Sequence, residues 1–160
     1  MIRYDVFSSP VGALTVSSDE SGITELHIEG DRYFTEIPVQ WRRDPTETLL
    51  QQVKLEVEEY FSGQRQHFAV PLAIQGTLFQ RDVWAVLQAI PFGSTISYGA
   101  IARKIGRPKA VRAVGTAVGR NPACILVPCH RVVGSSGGFG GYVAGIECKQ
   151  RLLRLEGAPV

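Results

Sequence analysis

Apolar and polar positions alternate along the N-terminal stretch. Ile2 to Ser8 alternates loosely and runs into Ser9-Pro10-Val11-Gly12, a turn signal. Ala13-Leu14-Thr15-Val16-Ser17-Ser18 reads as a second strand, Asp19-Glu20-Ser21-Gly22 as another turn, and Ile23 to Ile28 as a third strand. The pattern predicts an antiparallel meander. Gly30 to Arg43 shows no clear period and is expected to be loop. The period then turns helical: Leu49, Leu50, Val53, Val57 and Phe61 share one face, with Asp44 as the expected cap, Pro45 in the first turn and Gly63 as the stop.

After Pro71-Leu72-Ala73-Ile74-Gln75-Gly76, which reads as a linker, Thr77 and Gln80 form a capping box. Phe79, Val83, Val86, Leu87 and Ile90 make the apolar face of the helix that follows, with Trp84 beside it as core. Ser97 caps a short helix from Tyr98 to Ile105 with Gly106 as its stop, and Pro108 is expected to open another reaching about Val118. Two short helices around a Gly-containing turn form a helix-turn-helix pattern. Gly115 lies inside the second, where glycine costs about 1 kcal/mol against alanine. It therefore serves close packing or a close approach to a partner. The run Ile125-Leu126-Val127-Pro128-Cys129-His130-Arg131-Val132-Val133 is apolar and β-branched and reads as a buried extended segment. The fold class expected is α+β, in two units: residues 1–75 as a small α/β scaffold, and residues 76–160 as a mostly helical domain.

Composition narrows the function classes. With 44% hydrophobic and 20% charged residues the chain is that of a globular protein, and no apolar run approaches the roughly 20 residues of a membrane span. The N-terminus lacks the apolar core of a signal peptide. Cys124, Cys129 and Cys148 cannot all pair, so a reducing, cytoplasmic setting is expected. They and the scattered histidines match no zinc pattern, and His27 and His67 are read as structural or surface residues, so no metal is expected. Charge is divided between the halves. Residues 1–75 carry 6 Lys/Arg and 12 Asp/Glu, whereas residues 76–160 carry 11 and 3, which together leave +2. A basic half joined to an acidic one points to a polyanion met by one face. Arg103, Lys104, Arg107, Lys109 and Arg112 crowd the helix-turn-helix and are candidates for phosphate contact.

The chemistry is concentrated at Pro128-Cys129-His130-Arg131. A thiol beside an imidazole in an apolar run is either a nucleophile with its base or a structural cysteine next to a satisfied histidine. Asn121-Pro122 precedes the run as a turn, and the glycine-rich stretch from Gly134 to Tyr142 follows it. A carboxylate is needed to orient the imidazole; the residues leave Glu147 and Glu156 as C-terminal candidates.

The whole word, Pro-Cys-His-Arg with Asn-Pro upstream and Gly-Tyr downstream, resembles the O6-alkylguanine-DNA alkyltransferases. The similarity extends from about Gly76 to Gly157 and more loosely over the N-terminal half. It implies an RNase-H-like N-terminal domain followed by a winged helix-turn-helix-like domain. The activity it implies is direct-reversal DNA repair: single-turnover transfer of an alkyl group from O6-alkylguanine, and O4-alkylthymine, to Cys129, without a cofactor. The partner is double-stranded DNA, met by a monomer with no obligate protein partner.

The resemblance selects Glu156, in Leu155-Glu156-Gly157, to complete a Glu–His–water–Cys relay with His130 and Cys129. It makes Asn121 the brace between helix and active-site turn, and Arg112 the residue that fills the gap left by a flipped nucleotide. Tyr98 would help flip the nucleotide and contact the base. Val132, Tyr142 and Val143 would shape the lesion pocket, with the carbonyls of Cys129 and Val132 reading the exocyclic amine. Phe79, Gln80, Arg107 and Ser135 are expected DNA contacts, and Arg131 is expected to pair within its own domain. Some relatives hold zinc through N-terminal cysteines, which this chain lacks before Cys124. Val143 and Ala144 replace smaller or hydroxyl-bearing residues of many relatives. Cys124 stands where some have proline and is read as packing, with a second pocket thiol as the alternative. Two rival readings are a non-catalytic alkyltransferase-like damage sensor, whose members lack the cysteine of this word, and a Cys-His hydrolase with repeated turnover.

Overall fold

The computed structural model describes residues 1–134 and 141–159. Strands β1 (Arg3–Ser9), β2 (Gly12–Ser18) and β3 (Ile23–Ile28) form the expected antiparallel meander. A short β4 (Arg42–Arg43) lies parallel to β1, giving the order β3-β2-β1-β4. The stretch expected to be loop thus ends in a strand too short to show a period. Leu14, Val16, Leu26 and Ile28 turn one face of the sheet inward onto helix α1 (Thr48–Phe61), which buries Leu50, Val53, Val57 and Tyr60.

Helix α1 starts later than Asp44-Pro45 predicts. Asp44 folds its carboxylate back onto Thr46 in a local turn, and Glu47 caps the helix by accepting from the Leu50 amide at 2.9 Å. In the second half the Thr77–Gln80 capping box opens α2 (Leu78–Gln88) as expected. Ser97 caps α3 (Tyr98–Lys104), and α4 spans Val111–Gly119. Pro108 stands in the turn before α4 rather than at its start, because the chain first closes a turn from the Ala110 amide to the Arg107 carbonyl. Trp84 is core, and its indole N–H donates to the Ala117 carbonyl at 2.9 Å, fastening α2 to α4. A parallel pair, β5 (Ile96–Ser97) with β6 (Val132–Val133), and α5 (Ile146–Leu155) complete the described chain.

The segment Ile125 to Val133 departs most from its prediction. Only Val132–Val133 is strand, and Cys129–Arg131 is a single 3-10 turn. Upstream, the Asn121 side chain accepts from the Ala123 amide and donates to the Val127 carbonyl, while Leu126 N bonds Cys124 O. Those contacts fold the run on itself and hold Ile125 at φ 72°. A β-branched residue there is strained by about 1–3 kcal/mol. The β-branched content of the run reported burial, not extension.

Both halves seat this loop. The exposed edge of β3 is covered by chain from either side: Ile23 N bonds Pro71 O, Leu26 N bonds Pro122 O at 2.9 Å, and Cys124 N bonds Leu26 O at 3.0 Å. An unpaired sheet edge is thereby closed, and the residues just before Cys129 are tied to the N-terminal sheet. Among the described residues one hydrophobic core runs through both halves.

Candidate active site

Glu156, at the C-cap of α5, is the electrostatic centre of the buried site. Its carboxylate receives five hydrogen bonds. His130 Nε2 lies 2.7 Å from Oε2, Arg131 donates through Nε and Nη2 at 2.8 and 2.9 Å, Gly93 N donates at 3.2 Å, and the Tyr60 hydroxyl donates from α1 in the other half. Gly93 can approach because it is glycine at φ 82°, where a Cβ would stand 3.1 Å from the Glu156 carbonyl oxygen. Burial alone would raise the Glu156 pKa, but His130 and Arg131 outweigh it and hold the carboxyl well below the usual range. Arg131 is structural, as expected, and also donates to the Ile90 carbonyl at 2.6 Å. Glu147, the other carboxylate left open by the residues, stands at the opposite end of α5.

His130 is fully buried, and that burial lowers its pKa against the opposing pull of Glu156. The ring is therefore neutral near pH 7. Its one proton sits on Nε2, the nitrogen facing the carboxylate, which leaves Nδ1 with a lone pair and no hydrogen-bond partner among the described residues. This is the tautomer a general base requires.

Cys129, only 2% exposed, follows Pro128 at the start of the 3-10 turn. Its thiol is held below its ordinary pKa, first by the Cys124 thiol beside it, then by the Asn121 and Tyr142 side chains and the charge of Lys149, against the opposing effect of burial. The same contact drives Cys124 up, so Cys124 stays protonated and acts as the donor of the pair. Cys124 is fully buried, in keeping with its reading as packing, and it also stands beside Cys129, because the chain between them is bent. The Tyr142 hydroxyl, buried and without a completed hydrogen bond among the described residues, faces this thiol pair. Lys149 is also buried, donates to the Gly141 carbonyl at 3.1 Å and is lowered to about 8, chiefly by desolvation.

A cavity of about 210 Å³ opens above Cys129, lined by Tyr98, Gly115, Tyr142 and Val143 among others. Tyr98 stands at the start of α3, and burial raises its hydroxyl pKa, so it remains a donor. Val132 is buried beside the cavity in β6, and its amide donates to the Cys129 carbonyl. Arg112 is exposed on α4, and Arg107 is exposed in the turn before it. Phe79 is half-buried beneath the Arg107 guanidinium, which lies 5.7 Å from its ring centre, while the Gln80 side chain is committed to the helix cap. Ser135 lies outside the described residues. Among those described, no cluster of three or more His, Cys, Asp or Glu side chains could hold a metal, and no helix is long and apolar enough to cross a membrane.

Sequence reasoning missed Tyr60, Gly93 and the buried Lys149. None carries a local signal, since each joins the site through a tertiary contact.

Gly115 lines the cavity instead of serving tight packing: a Cβ there would meet the Tyr98 ring at an ordinary 3.8 Å. Gly115→Ala is therefore expected to leave stability unchanged or raise it by up to about 1 kcal/mol, while slowing chemistry in the cavity. A melt alongside a single-turnover rate checks this; a marked drop in melting temperature would show that the site has no room for a methyl group.

A buried, activated thiol with a neutral imidazole and an ionised carboxylate, set beside a basic helix-turn-helix, defines a thiol group-transfer protein. Comparison with known proteins gives the family. The domain described as 6-O-methylguanine DNA methyltransferase, ribonuclease-like domain, matches residues 2–74, and the one described as 6-O-methylguanine DNA methyltransferase, DNA binding domain, matches residues 78–158. The methylated-DNA--protein-cysteine methyltransferase of Methanosarcina acetivorans is 43% identical over 155 residues, 97% of this chain and 98% of that one. That of Haemophilus influenzae is 40% identical over 159 residues, 99% and 88% of the two chains. The crystal structure of Mycobacterium tuberculosis OGT in complex with DNA superposes with a TM-score of 0.91 at 43% identity, covering 98% of this chain and 95% of that one. The chain belongs to the 6-O-methylguanine DNA methyltransferase family.

Proposed function

We propose that this protein repairs DNA by direct reversal, moving an alkyl group from O6 of guanine, and O4 of thymine, onto Cys129. The observation that carries the reading is the buried Cys129 thiol, its pKa lowered, at the floor of a cavity that opens to the surface. His130 Nδ1 takes the thiol proton through one bridging water, and Glu156 stabilises the resulting imidazolium. The thiolate attacks the alkyl carbon as its bond to O6 breaks. A thioether forms, and guanine leaves with the electron pair on O6 and is reprotonated. Nothing in such a thioether is open to simple hydrolysis, so each chain acts once. Carrying an activated thiol speaks against the non-catalytic sensor. Stoichiometry tests the hydrolase alternative: transfer is expected to stop at one alkyl group per chain, and sustained turnover would overturn the proposal.

Duplex DNA is the substrate. We place the division of labour at Gln75/Gly76, with residues 76–160 carrying the +8 charge that meets phosphates. Asn121 braces α4 against the active-site turn, Tyr98 contacts the flipped base, and Arg112 fills the gap in the stack. Arg107 meets the backbone, with Phe79 supporting its guanidinium. The protein acts as a monomer without a cofactor, and its free thiols fit a reducing cytoplasm. Flipping costs a few kcal/mol that a free base does not require. Arg112→Ala should therefore slow repair of duplex roughly tenfold or more, yet leave reaction with free O6-benzylguanine within about twofold. Equal losses on both substrates would contradict the role.

A further inference from the structure

Besides Tyr60, which donates to Glu156, the N-terminal half places one residue on the cavity above Cys129. Arg32, in the loop after β3, is the cavity's single contribution from residues 1–75. The loop holding it is well tied. Asp31 is buried, with one carboxylate oxygen accepting from Tyr33 N at 2.8 Å and the other 3.0 Å from His27 Nδ1. Arg32 N donates to the Val143 carbonyl at 3.2 Å, placing the residue against the wall that Val143 forms. Tyr33 docks this loop on the C-terminal end of α4, its ring 3.9 Å beneath the Arg120 guanidinium. The Arg32 backbone is thus held by both halves while its side chain stays exposed at the cavity.

Among the described residues the Arg32 guanidinium has no carboxylate partner; it lies 5.6 Å from the Tyr33 ring centre and beside Gly141 at the cavity. Among the described residues no Asp or Glu lines the cavity to offset it. The site therefore presents an uncompensated cation along the Val143 wall, in the same enclosure as the sulfur that receives the alkyl carbon. Whatever the transferred carbon carries has to lie in that enclosure too, because it stays attached as the thioether forms. A neutral chain gains nothing from a guanidinium; a carboxylate gains a charge-assisted, bidentate pair.

We propose that Arg32 is a specificity-determining residue that pairs with a carboxylate borne by the O6 substituent, so that the protein favours acidic alkyl lesions, of which carboxymethyl is the smallest. The inference rests on the alkyl-transfer reading and adds the substituent class to it. The N-terminal half then selects substrate, through a loop whose register is fixed by Asp31, Tyr33 and the Val143 carbonyl.

The test compares single-turnover rates of the wild type, Arg32→Ala and Arg32→Lys on duplexes carrying O6-methylguanine or O6-carboxymethylguanine. Arg32→Ala is expected to slow the carboxymethyl reaction about five- to tenfold while the methyl reaction changes less than about twofold, and Arg32→Lys to recover part of the loss. An equal loss on both duplexes, with none on free O6-benzylguanine, would assign Arg32 to the DNA backbone and overturn the proposal. Unchanged rates on both would also overturn it. Failure of the wild type to accept methyl from the first duplex would instead defeat the alkyl-transfer reading, so the two failures are distinguishable.

Discussion

Glu156→Ala is expected to cost about 3–5 kcal/mol of folding stability, the range for removing one partner of a buried, hydrogen-bonded ionic cluster. Single domains are stable by only about 5–15 kcal/mol, so the variant should sit near the edge of folding. The size follows from what the side chain leaves behind: the Arg131 guanidinium buried without its counter-ion, and unsatisfied donors on His130, Gly93 and Tyr60. Tyr60 gives the loss its reach, because that bond joins α1 to the C-terminal half across 96 residues of sequence. Urea unfolding checks the value, with Glu156→Gln as the milder comparison, since its amide oxygen still accepts. A loss below about 1 kcal/mol would mean that the donors find other partners and that the carboxylate is not the hub.

The same residue sets an acid limit. Its folded pKa is lowered, so its contribution is complete above the ordinary glutamate range and fades as pH falls through the folded value. His130 acts in the same direction: its folded pKa lies below 6.5, so the unfolded chain binds its proton first as pH falls. The contribution of these two groups should therefore decline from about pH 6.5 downward and steepen below the glutamate range, opposed in its first part by His27, whose folded pKa is raised through Asp31 and Glu25 despite burial. Glu156→Gln should retain only the histidine part of that decline.

Local chemistry was the legible part of this sequence. The Thr77–Gln80 box, the Ser97 cap and the period-two meander are written within a few residues of where they act, and each stands where expected. The Cys129-His130-Arg131 word was equally plain, and family resemblance picked Glu156 over Glu147. What the sequence could not show was convergence. Tyr60 and Arg32 reach the site only after the halves close on each other, and Gly93 only after its own half folds. The Ile125 to Val133 run misled because β-branched residues mark both strands and buried turns. Asn121-Pro122 announced a turn before the run, but nothing local showed that the Asn121 side chain reaches on to Val127 and bends the run itself, setting Cys124 beside Cys129. Asp44 misled for a smaller reason: a carboxylate can cap a helix or close its own turn, and here Thr46 drew it into the turn.

Cys129→Ala is expected to abolish alkyl transfer completely while leaving fold and DNA binding intact. The change removes the sulfur that accepts the carbon, and burial, which the substitution leaves in place, still opposes ionisation of the neighbouring Cys148 and Cys124 thiols. Both remain protonated near neutral pH, and a protonated thiol is a poor nucleophile. The structural cost is small, since one buried atom is lost from a site already next to a cavity; a deletion of that size costs about 1 kcal/mol. The variant should bind duplex DNA with the salt dependence of the wild type, because Arg107 and Arg112 are exposed and the substitution leaves them unchanged. Residual transfer onto Cys124 would show that the pair shares the reaction.

The most direct test is the mass of the wild-type protein after incubation with duplex DNA containing O6-methylguanine, followed by mapping of the modified peptide. The account predicts a gain of one methyl group per chain, borne by Cys129, with unmodified guanine restored in the DNA. An unmodified protein, or a methyl group found on any residue other than Cys129, would contradict it.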